Sequence, residues 1–314
     1  MLCMLVSTQA MGALFGKEPP RPLVLTPATS RSEAFARIVD DGAALRHVPK
    51  PYAGPAKPVA IGGLVFDFIT DTGAASNRGD LLTGEKLTQT VNYKLVGVTP
   101  EIMQAIADDF AVHFRKALTD QGYTVLEQEK LLTDPAYKAS VAEAEAPQAR
   151  SNFLSKNGSI TVVSKGTADS SSILGGGFKD VALSKAFGDA IVVSAHILVN
   201  FAQFEDSGVY REASVTHRVQ LSVIPQSKFS VTTETGLVPY PFLRTTVLPS
   251  QIAAKVTSSA VSGGQMATAI LGAFAGRSTR MSNYEVTAVD NYRNVAAADL
   301  KMLAEVLANG LTKR

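Results

Sequence analysis

The sequence predicts a mixed α/β domain of the α+β kind, in which helices pack on a mixed sheet and an extended proline-rich arm precedes the sheet. Three observations lead to this fold class. A strongly apolar run spans Val59 to Ile69, an amphipathic helical pattern follows Thr99, and two strand patterns lie between residues 190 and 224. A chain of 314 residues with 46% apolar content is also long enough to bury a substantial core.

The first element of the predicted domain is the run Val59 to Ile69, whose β-branched and aromatic residues favour a buried strand. The next stretch, Thr70 to Thr90, is polar and rich in Gly, Asp, Asn and Thr. We therefore expect a long loop there, followed by a short strand at Val91 to Val96. The mixed α/β domain is predicted to span residues 59–314.

The clearest helix begins with Thr99 as its N-cap and Pro100 at its first position. Gly122 is expected to end it, and Tyr123 to Leu126 resumes a strand. The apolar residues that recur at helical spacing and form the buried face are Ile102, Ile106, Phe110, Phe114 and Leu118. The domain thus opens with a strand, a loop, a helix and a second strand.

Two long strands are predicted in the second half of the chain. Ala190 to Phe204 is apolar on both faces, as in a central strand, whereas Ser214 to Ile224 alternates and should pair with it in antiparallel fashion. The shorter predicted elements are helices at Leu131 to Arg150, interrupted at Pro135 and Pro147, and at Asp180 to Phe187, and strands at Phe229 to Glu234 and Tyr284 to Val289. A helix from Val295 to Asn309 closes the domain, with Gly310 as its stop.

The amino-terminal part of the chain divides into two segments. Residues 1–16 resemble a signal peptide, because Leu2 to Phe15 is uncharged and mostly apolar and Thr8-Gln9-Ala10 offers small residues near a cleavage site. An ordinary buried strand or helix is the alternative. Residues 17–58 are rich in proline and predict an extended arm or linker, or else a strap along the domain surface.

Composition and charge exclude several classes of function. The net charge is +2 and the basic residues are scattered, so we expect no nucleic-acid partner. Cys3 is the only cysteine, which excludes an internal disulfide and zinc sites built from several thiolates. Of the four histidines, only His196 and His217 could meet across paired strands, and no dinucleotide or phosphate-loop glycine pattern occurs. No metal and no cofactor are therefore expected.

One motif suggests chemistry. Asp71-Thr72-Gly73 directly follows an apolar run, as the catalytic loop does in aspartic proteases, where two such aspartates share a proton. A single copy requires a homodimer, so the alternative function is a homodimeric aspartic-type protease with Asp71 as its catalytic residue. A solvated turn leaving a strand would have the same composition.

Residues 249–276 form an apolar insertion rich in small residues, with Gly263-Gly264 and the pair Gly272 and Gly276. Small residues permit close packing of helices or strands, which allows contact with a membrane. Lys255 and the many Ser and Thr residues disfavour a spanning helix, so a buried or oligomer-facing helix is the other interpretation.

The order of these elements, together with Gly122-Tyr123-Thr124-Val125-Leu126, resembles the periplasmic domain of the curli secretion lipoprotein family. It is also similar to the amino-terminal domain of the Tol-system β-propeller protein. The resemblance spans residues 59–310 and implies a non-catalytic protein of envelope assembly or secretion that self-associates. A homo-oligomer, other envelope proteins as partners and a location in the periplasm or outer membrane are the corresponding expectations.

Overall fold

A computed structural model describes most of the chain, and over the residues that it describes the chain has six helices and twelve strands in two sheets. The predicted α+β class, with helices packed on mixed sheets, is confirmed. The described residues are 21–39, 57–79, 86–145, 158–169, 176–206, 215–233, 236–259 and 277–312.

The first sheet is built around two long strands, β2 (Val59–Ile69) and β6 (Ile191–Asp206), which pair in parallel. Every residue of β2 is buried, because both faces of the strand are covered. On its other side β2 pairs antiparallel with β5 (Ser159–Val163), which forms one edge of this sheet. The predicted central strand at Ala190 to Phe204 is therefore confirmed.

The far side of β6 pairs with two strands in succession. Its first half pairs with β8 (Lys228–Thr233) and its second half with β7 (Val215–Val223), both antiparallel, as the alternating pattern predicted for β7. The sheet extends from β8 to β9 (Gly236–Pro241), and from β7 to β10 (Thr246–Val247) and then β1 (Leu23–Val24).

Three helices cover one face of the first sheet, namely α1 (Arg31–Val39), α2 (Pro100–Asp120) and α6 (Tyr292–Thr312). Their apolar side chains join the strand residues in one large core, where the ring of Phe66 lies 5.1 Å from that of Phe110. The Thr99 side chain accepts a hydrogen bond from the Ile102 N–H, and Gly122 follows the helix at a φ of 89°. Both predicted ends of α2 are thus confirmed.

The opposite face of the first sheet carries three shorter helices, α3 (Gln128–Leu131), α4 (Pro135–Glu145) and α5 (Gly176–Ala186). Two small apolar clusters lie beneath them. Helix α4 begins at Pro135 rather than being interrupted there, because proline is well accommodated at a first helical position. The predicted strand Tyr123 to Leu126 is reduced to one parallel bridge between Val59 and Val125.

The second sheet corrects the predicted loop at Thr70 to Thr90. Residues there form β3 (Asp71–Gly79) and the beginning of β4 (Lys86–Val96), which pair antiparallel. A second antiparallel pair, β11 (Ala253–Ser259) and β12 (Arg277–Ala288), lies beside it. The two pairs join through a parallel β4–β12 ladder, so polar residues that favour loops elsewhere are held here by strand pairing.

The amino-terminal segment differs from the predicted extended arm over residues 21–39. Strand β1 adds to the edge of the first sheet, and α1 buries Phe35 and Ile38 in the core. This arrangement matches the alternative of a strap held against the domain. The signal-like residues 1–16, and residues 17–20 and 40–56 of the proline-rich stretch, lie outside the described residues.

Gly310 was expected to stop the last helix, but α6 continues through it to Thr312. A Cβ at position 310 would lie 2.5 Å from the Phe35 ring. The lack of a side chain at Gly310 therefore allows the Phe35 ring of α1 to pack against α6. The four apolar residues predicted to be buried on this helix, Leu300, Leu303, Val306 and Leu307, are all fully buried.

Candidate functional site

The second sheet ends in two edge strands. Its order is β11-β12-β4-β3, and over the described residues β11 pairs only with β12 and β3 only with β4. Because both outer pairs are antiparallel and the central pair is parallel, β3 and β11 run in the same direction. An unpaired strand edge presents backbone N–H and C=O groups to any strand that approaches it.

The two faces of the second sheet differ in character. On the inner face the ring of Tyr93 stacks on that of Tyr284 at 4.9 Å and lies 5.6 Å from the ring of Phe204 on β6, which attaches the second sheet to the first. On the outer face Asn92 donates a hydrogen bond to Asn283 at 3.0 Å, and Lys94 is exposed. The outer face is polar, so the edges can pair without burying a large apolar surface.

The edge strands carry opposite charges near their first residues. Asp71 begins β3 and pairs with Lys94, whereas Lys255 lies near the start of β11 and pairs with Thr287. Both side chains are exposed and both belong to the outer face of the sheet. One edge is therefore acidic and the other basic at the same end of the sheet.

Asp71, the sequence-predicted catalytic residue, lies in strand β3 rather than in a loop. Its carboxylate Oδ2 accepts a hydrogen bond from the Thr70 hydroxyl at 3.1 Å, and its N–H donates to the Gly158 carbonyl at 2.9 Å. The next two motif residues, Thr72 and Gly73, continue the ladder with β4. The homodimeric protease stays a prediction, since it depends on a second copy of the chain.

A row of polar side chains crosses the first sheet on the face of the shorter helices. The Asp67 carboxylate is 1% exposed. It accepts a hydrogen bond from the Thr161 hydroxyl on β5, and its Oδ2 lies 2.6 Å from Nε2 of His196 on β6. A carboxylate at this position fixes the imidazole ring and holds a proton on Nε2. Burying such a charge is tolerated only because both oxygens have partners.

His196 was expected to be able to meet His217 across paired strands, and this prediction is wrong. The β6–β7 register sets His217 opposite Phe204, whereas His196 lies opposite Val65 and Lys228. Because of this register, His217 lies opposite a residue eight positions after His196. The alternation pattern could not predict this offset, because it is compatible with connections of different length between the two strands, and so with different registers. The described ranges hold no cluster of three or more histidine, cysteine, aspartate or glutamate side chains suited to a metal ion.

Sequence reasoning did not single out Asp67, although a signal was present. Asp67 is the only charged residue in the apolar strand Val59 to Ile69, and His196 is the only ionisable residue in the first half of the next central strand. A charge within a fully buried strand needs a partner, so the two together could have been expected to meet.

The small-residue stretch 249–276 is strand rather than helix at its beginning, where it forms β11. Its remaining part, residues 260–276, lies outside the described residues. Within the described ranges, no helix has the length and apolar character required to cross a membrane.

Comparison with known proteins returned no relative. No protein-family model, no curated protein and no solved structure matches this chain. The likeness to the curli secretion lipoprotein family and to the Tol-system protein therefore stays a prediction.

Proposed function

We propose that this chain is a non-catalytic protein of the bacterial periplasm or outer membrane that acts in envelope assembly or secretion by self-association. The observation that supports this proposal most directly is that, over the described residues, each outer strand of the second sheet pairs with a strand on one side only. The signal-like amino terminus supports the location. Other envelope proteins are the expected further partners.

The direction of the edge strands defines how copies would join. Because β3 and β11 run in the same direction on opposite edges, β3 of one copy can pair in parallel with β11 of the next. Such a head-to-tail contact uses two different surfaces, so it generates a closed ring or an open filament rather than a simple dimer. Pairing of β3 with a second β3 would instead stop at a dimer.

Charge favours the head-to-tail contact over the alternatives. The Gly158 carbonyl accepts the Asp71 N–H, so backbone pairing with the next copy begins after Asp71. The exposed side chains of Asp71 and of Lys255 from the next copy then lie at the same end of the contact on the outer face, where opposite charges meet. A β3–β3 contact would bring two copies of Asp71 to the same interface, and a β11–β11 contact two copies of Lys255. Opposite charges across paired strands contribute about 0.2 to 1 kcal/mol each, and like charges are unfavourable.

Disulfide trapping tests this contact. The Asp71–Lys255 register sets Ala75 opposite Ser259 of the next copy. Within one copy those residues are separated by three strand spacings, about 14 Å, whereas a disulfide needs Cα atoms within about 7 Å. The double variant Ala75→Cys and Ser259→Cys, in a Cys3→Ser background, should give a ladder of cross-linked species larger than a dimer on a denaturing gel after oxidation.

Each single-cysteine variant serves as a control and can give no species larger than a dimer. Thr257→Cys combined with Ala75→Cys tests a register shifted by two residues on the same face. The mass of the unmodified chain in detergent and in buffer is an independent measurement. A monomeric mass together with no ladder from either double variant would contradict self-association through these edges.

A charge exchange separates this proposal from the protease alternative. Asp71→Lys should raise the concentration at which the chain associates, by roughly 2- to 5-fold per contact, because two lysines then face each other. The double variant Asp71→Lys and Lys255→Asp should restore association. A protease that depends on the Asp71 carboxylate would stay inactive in that double variant, and a proteolytic activity lost on Asp71→Asn would contradict the non-catalytic proposal.

Cell fractionation tests the proposed location. The full chain expressed in a Gram-negative bacterium should be recovered in the periplasmic or outer-membrane fraction. Recovery in the cytoplasm, with residues 1–16 still present in the purified protein, would contradict it.

A further inference from the structure

Helix α5 (Gly176–Ala186) lies on the first sheet, and the structure describes its side chains from Lys179 onwards. Among its described side chains only Asp180, Leu183 and Ser184 are buried, and two of these three are polar. The Ser184 hydroxyl donates to the Ala190 carbonyl at 2.7 Å, within the turn that leads out of the helix. Leu183 is the buried apolar residue among these side chains, and it packs with Val192 of β6 and Ala60 of β2. A short helix on the surface of a sheet can open without global unfolding.

The carboxyl group of Asp180 occupies the junction between α5 and the two central strands. Asp180 is 6% exposed, and the Ser194 hydroxyl of β6 lies 2.9 Å from its Oδ2. The same hydroxyl accepts a hydrogen bond from the Gly63 N–H of β2 at 3.0 Å. A Cβ on Gly62 would lie 2.7 Å from Asp180 Oδ1, so the irregularity of β2 at Gly62-Gly63 makes space for this carboxyl group.

The sheet surface near Asp180 is lined by hydroxyl groups. Ser194 lies opposite Ser230 on β8, and Thr232 lies two residues further along the same face of β8. All three residues belong to strands that α5 contacts. The sheet surface beside Asp180 therefore carries hydroxyl groups, and next to them Leu183 of α5 packs in an apolar cluster with Val192 of β6 and Ala60 of β2.

We propose that α5 is an acid-dependent latch, which is closed on the first sheet while the Asp180 carboxyl group is protonated and opens when this group ionises. In the closed state Oδ2 of the neutral carboxyl accepts a hydrogen bond from the Ser194 hydroxyl. The ionised carboxylate would be buried with Ser194 as its hydrogen-bond donor, so hydration of the charge favours the open state. Burial raises the pKa of Asp180 to about 6, and the hydrogen bond from Ser194 opposes that increase.

Ionisable groups other than the Asp180 carboxyl also lie on α5 and on the elements that pack against it. The Tyr137 hydroxyl of α4 donates a hydrogen bond shared between the carbonyls of Ile61 and Gly62, next to Asp180. His196 of β6 is bound to Asp67, and Lys228 of β8 lies opposite His196. On α5 itself Lys179 and Lys185 are exposed, and Nζ of Lys179 lies 3.6 Å from Oε2 of Glu143 on α4. The group whose protonation latches the helix is the Asp180 carboxyl.

Hydrogen exchange of the full chain tests the latch. Amide protection of residues 179–187, corrected for the intrinsic pH dependence of exchange, should fall by about tenfold between pH 5 and pH 8, because opening is favoured as the carboxyl group ionises. Protection of α2 and α6 should stay constant. In Asp180→Asn, whose side chain is neutral at both pH values, the protection of α5 should be high and independent of pH.

Two further variants complete the test. Asp189→Asn, an exposed carboxylate just after α5, should keep the pH dependence of the unmodified chain. Ser194→Ala removes the hydrogen bond that favours the ionised carboxylate, so its pH dependence should be at least as large. Protection of α5 that is independent of pH in the unmodified chain, or a pH dependence that persists in Asp180→Asn, would overturn the proposal.

Discussion

At the scale of single residues, the hydrogen-bond partners of a buried polar side chain come from neighbouring strands and not from residues close to it in the sequence. Asp67, Thr161 and His196 come from three adjacent strands, and the ladder registers bring them to one face. A buried carboxylate in such a row depends on each partner, because loss of one leaves a charge that water cannot reach.

His196→Leu should lower the free energy of unfolding by about 3 to 5 kcal/mol, because it leaves the Asp67 carboxylate buried with Thr161 alone. Urea denaturation at pH 7 measures this effect. In the double variant Asp67→Val and His196→Leu both partners are apolar, so a large part of the loss should be recovered. A loss below about 1 kcal/mol in the single variant would show that the pair contributes little.

The contact between Gly310 and Phe35 gives a second prediction. Gly310→Ala places a methyl group against the Phe35 ring and should destabilise the chain by about 1 to 3 kcal/mol, although alanine favours helix. Phe35→Ala alone should cost about 3 to 5 kcal/mol through the lost ring. If contact with the Phe35 ring is the cause, Gly310→Ala should not lower the free energy of unfolding any further in the Phe35→Ala background. Additive losses measured by urea denaturation would contradict it.

These two residues also show which interactions a sequence does not reveal. Gly310 was interpreted as a helix stop from its local neighbours, but its role comes from Phe35, which lies 275 positions earlier. Asp67 carried a local signal, a charge in an apolar strand, but its partner Thr161 did not. Tertiary partners at long sequence separation decide both cases.

At the scale of elements, α2 is the part of the fold that its own sequence determines best. The cap, the proline at the first position and the apolar face all lie within a segment of about twenty residues, so local rules suffice. The same argument predicts how its amino-terminal end responds to mutation.

Thr99→Ala should lower the free energy of unfolding by about 1 kcal/mol, because the Ile102 N–H loses the hydroxyl that caps it. Thr99→Ser keeps a hydroxyl and should lie within a few tenths of a kcal/mol of the unmodified chain. Thermal or urea denaturation compares the two. Equal losses for alanine and serine would mean that the cap is not the cause.

Strands β3 and β11 are the opposite case, because their own sequences do not predict them. Both consist mostly of polar and small residues, so neither shows the alternation of apolar and polar residues that is typical of a strand. Their neighbours β4 and β12 supply the pairing, and β12 lies far away in the chain. Strand formation on a polar surface depends on the partner more than on intrinsic preference, so a loop was the natural prediction for Thr70 to Thr90.

At the scale of the whole molecule, the amino-terminal segment belongs to the core although the proline-rich stretch separates it from the domain. Strand β1 pairs with β10, and α1 contacts α6 through Phe35 and through the ion pair between Arg31 and Glu305 at 2.9 Å. Burial of apolar residues therefore holds this segment on the domain.

A specific protease site inserted between Lys50 and Pro51 tests this attachment. After cleavage, the fragment that contains β1 and α1 should stay bound and co-elute with the rest of the chain in native gel filtration. The fragments should separate in denaturant. Phe35→Ala should release the smaller fragment under native conditions, whereas spontaneous release from the otherwise unmodified chain would contradict the prediction.

The parallel ladder between β4 and β12 fixes the order in which the molecule can fold. Asn92 and Asn283, which face each other in this ladder, are 191 positions apart. Closing so long a loop is slow, and the β3–β4 pair exposes an unpaired edge until the end of the chain arrives. During synthesis this pair of strands is exposed to mispairing, so a chaperone that shields a strand edge would protect it.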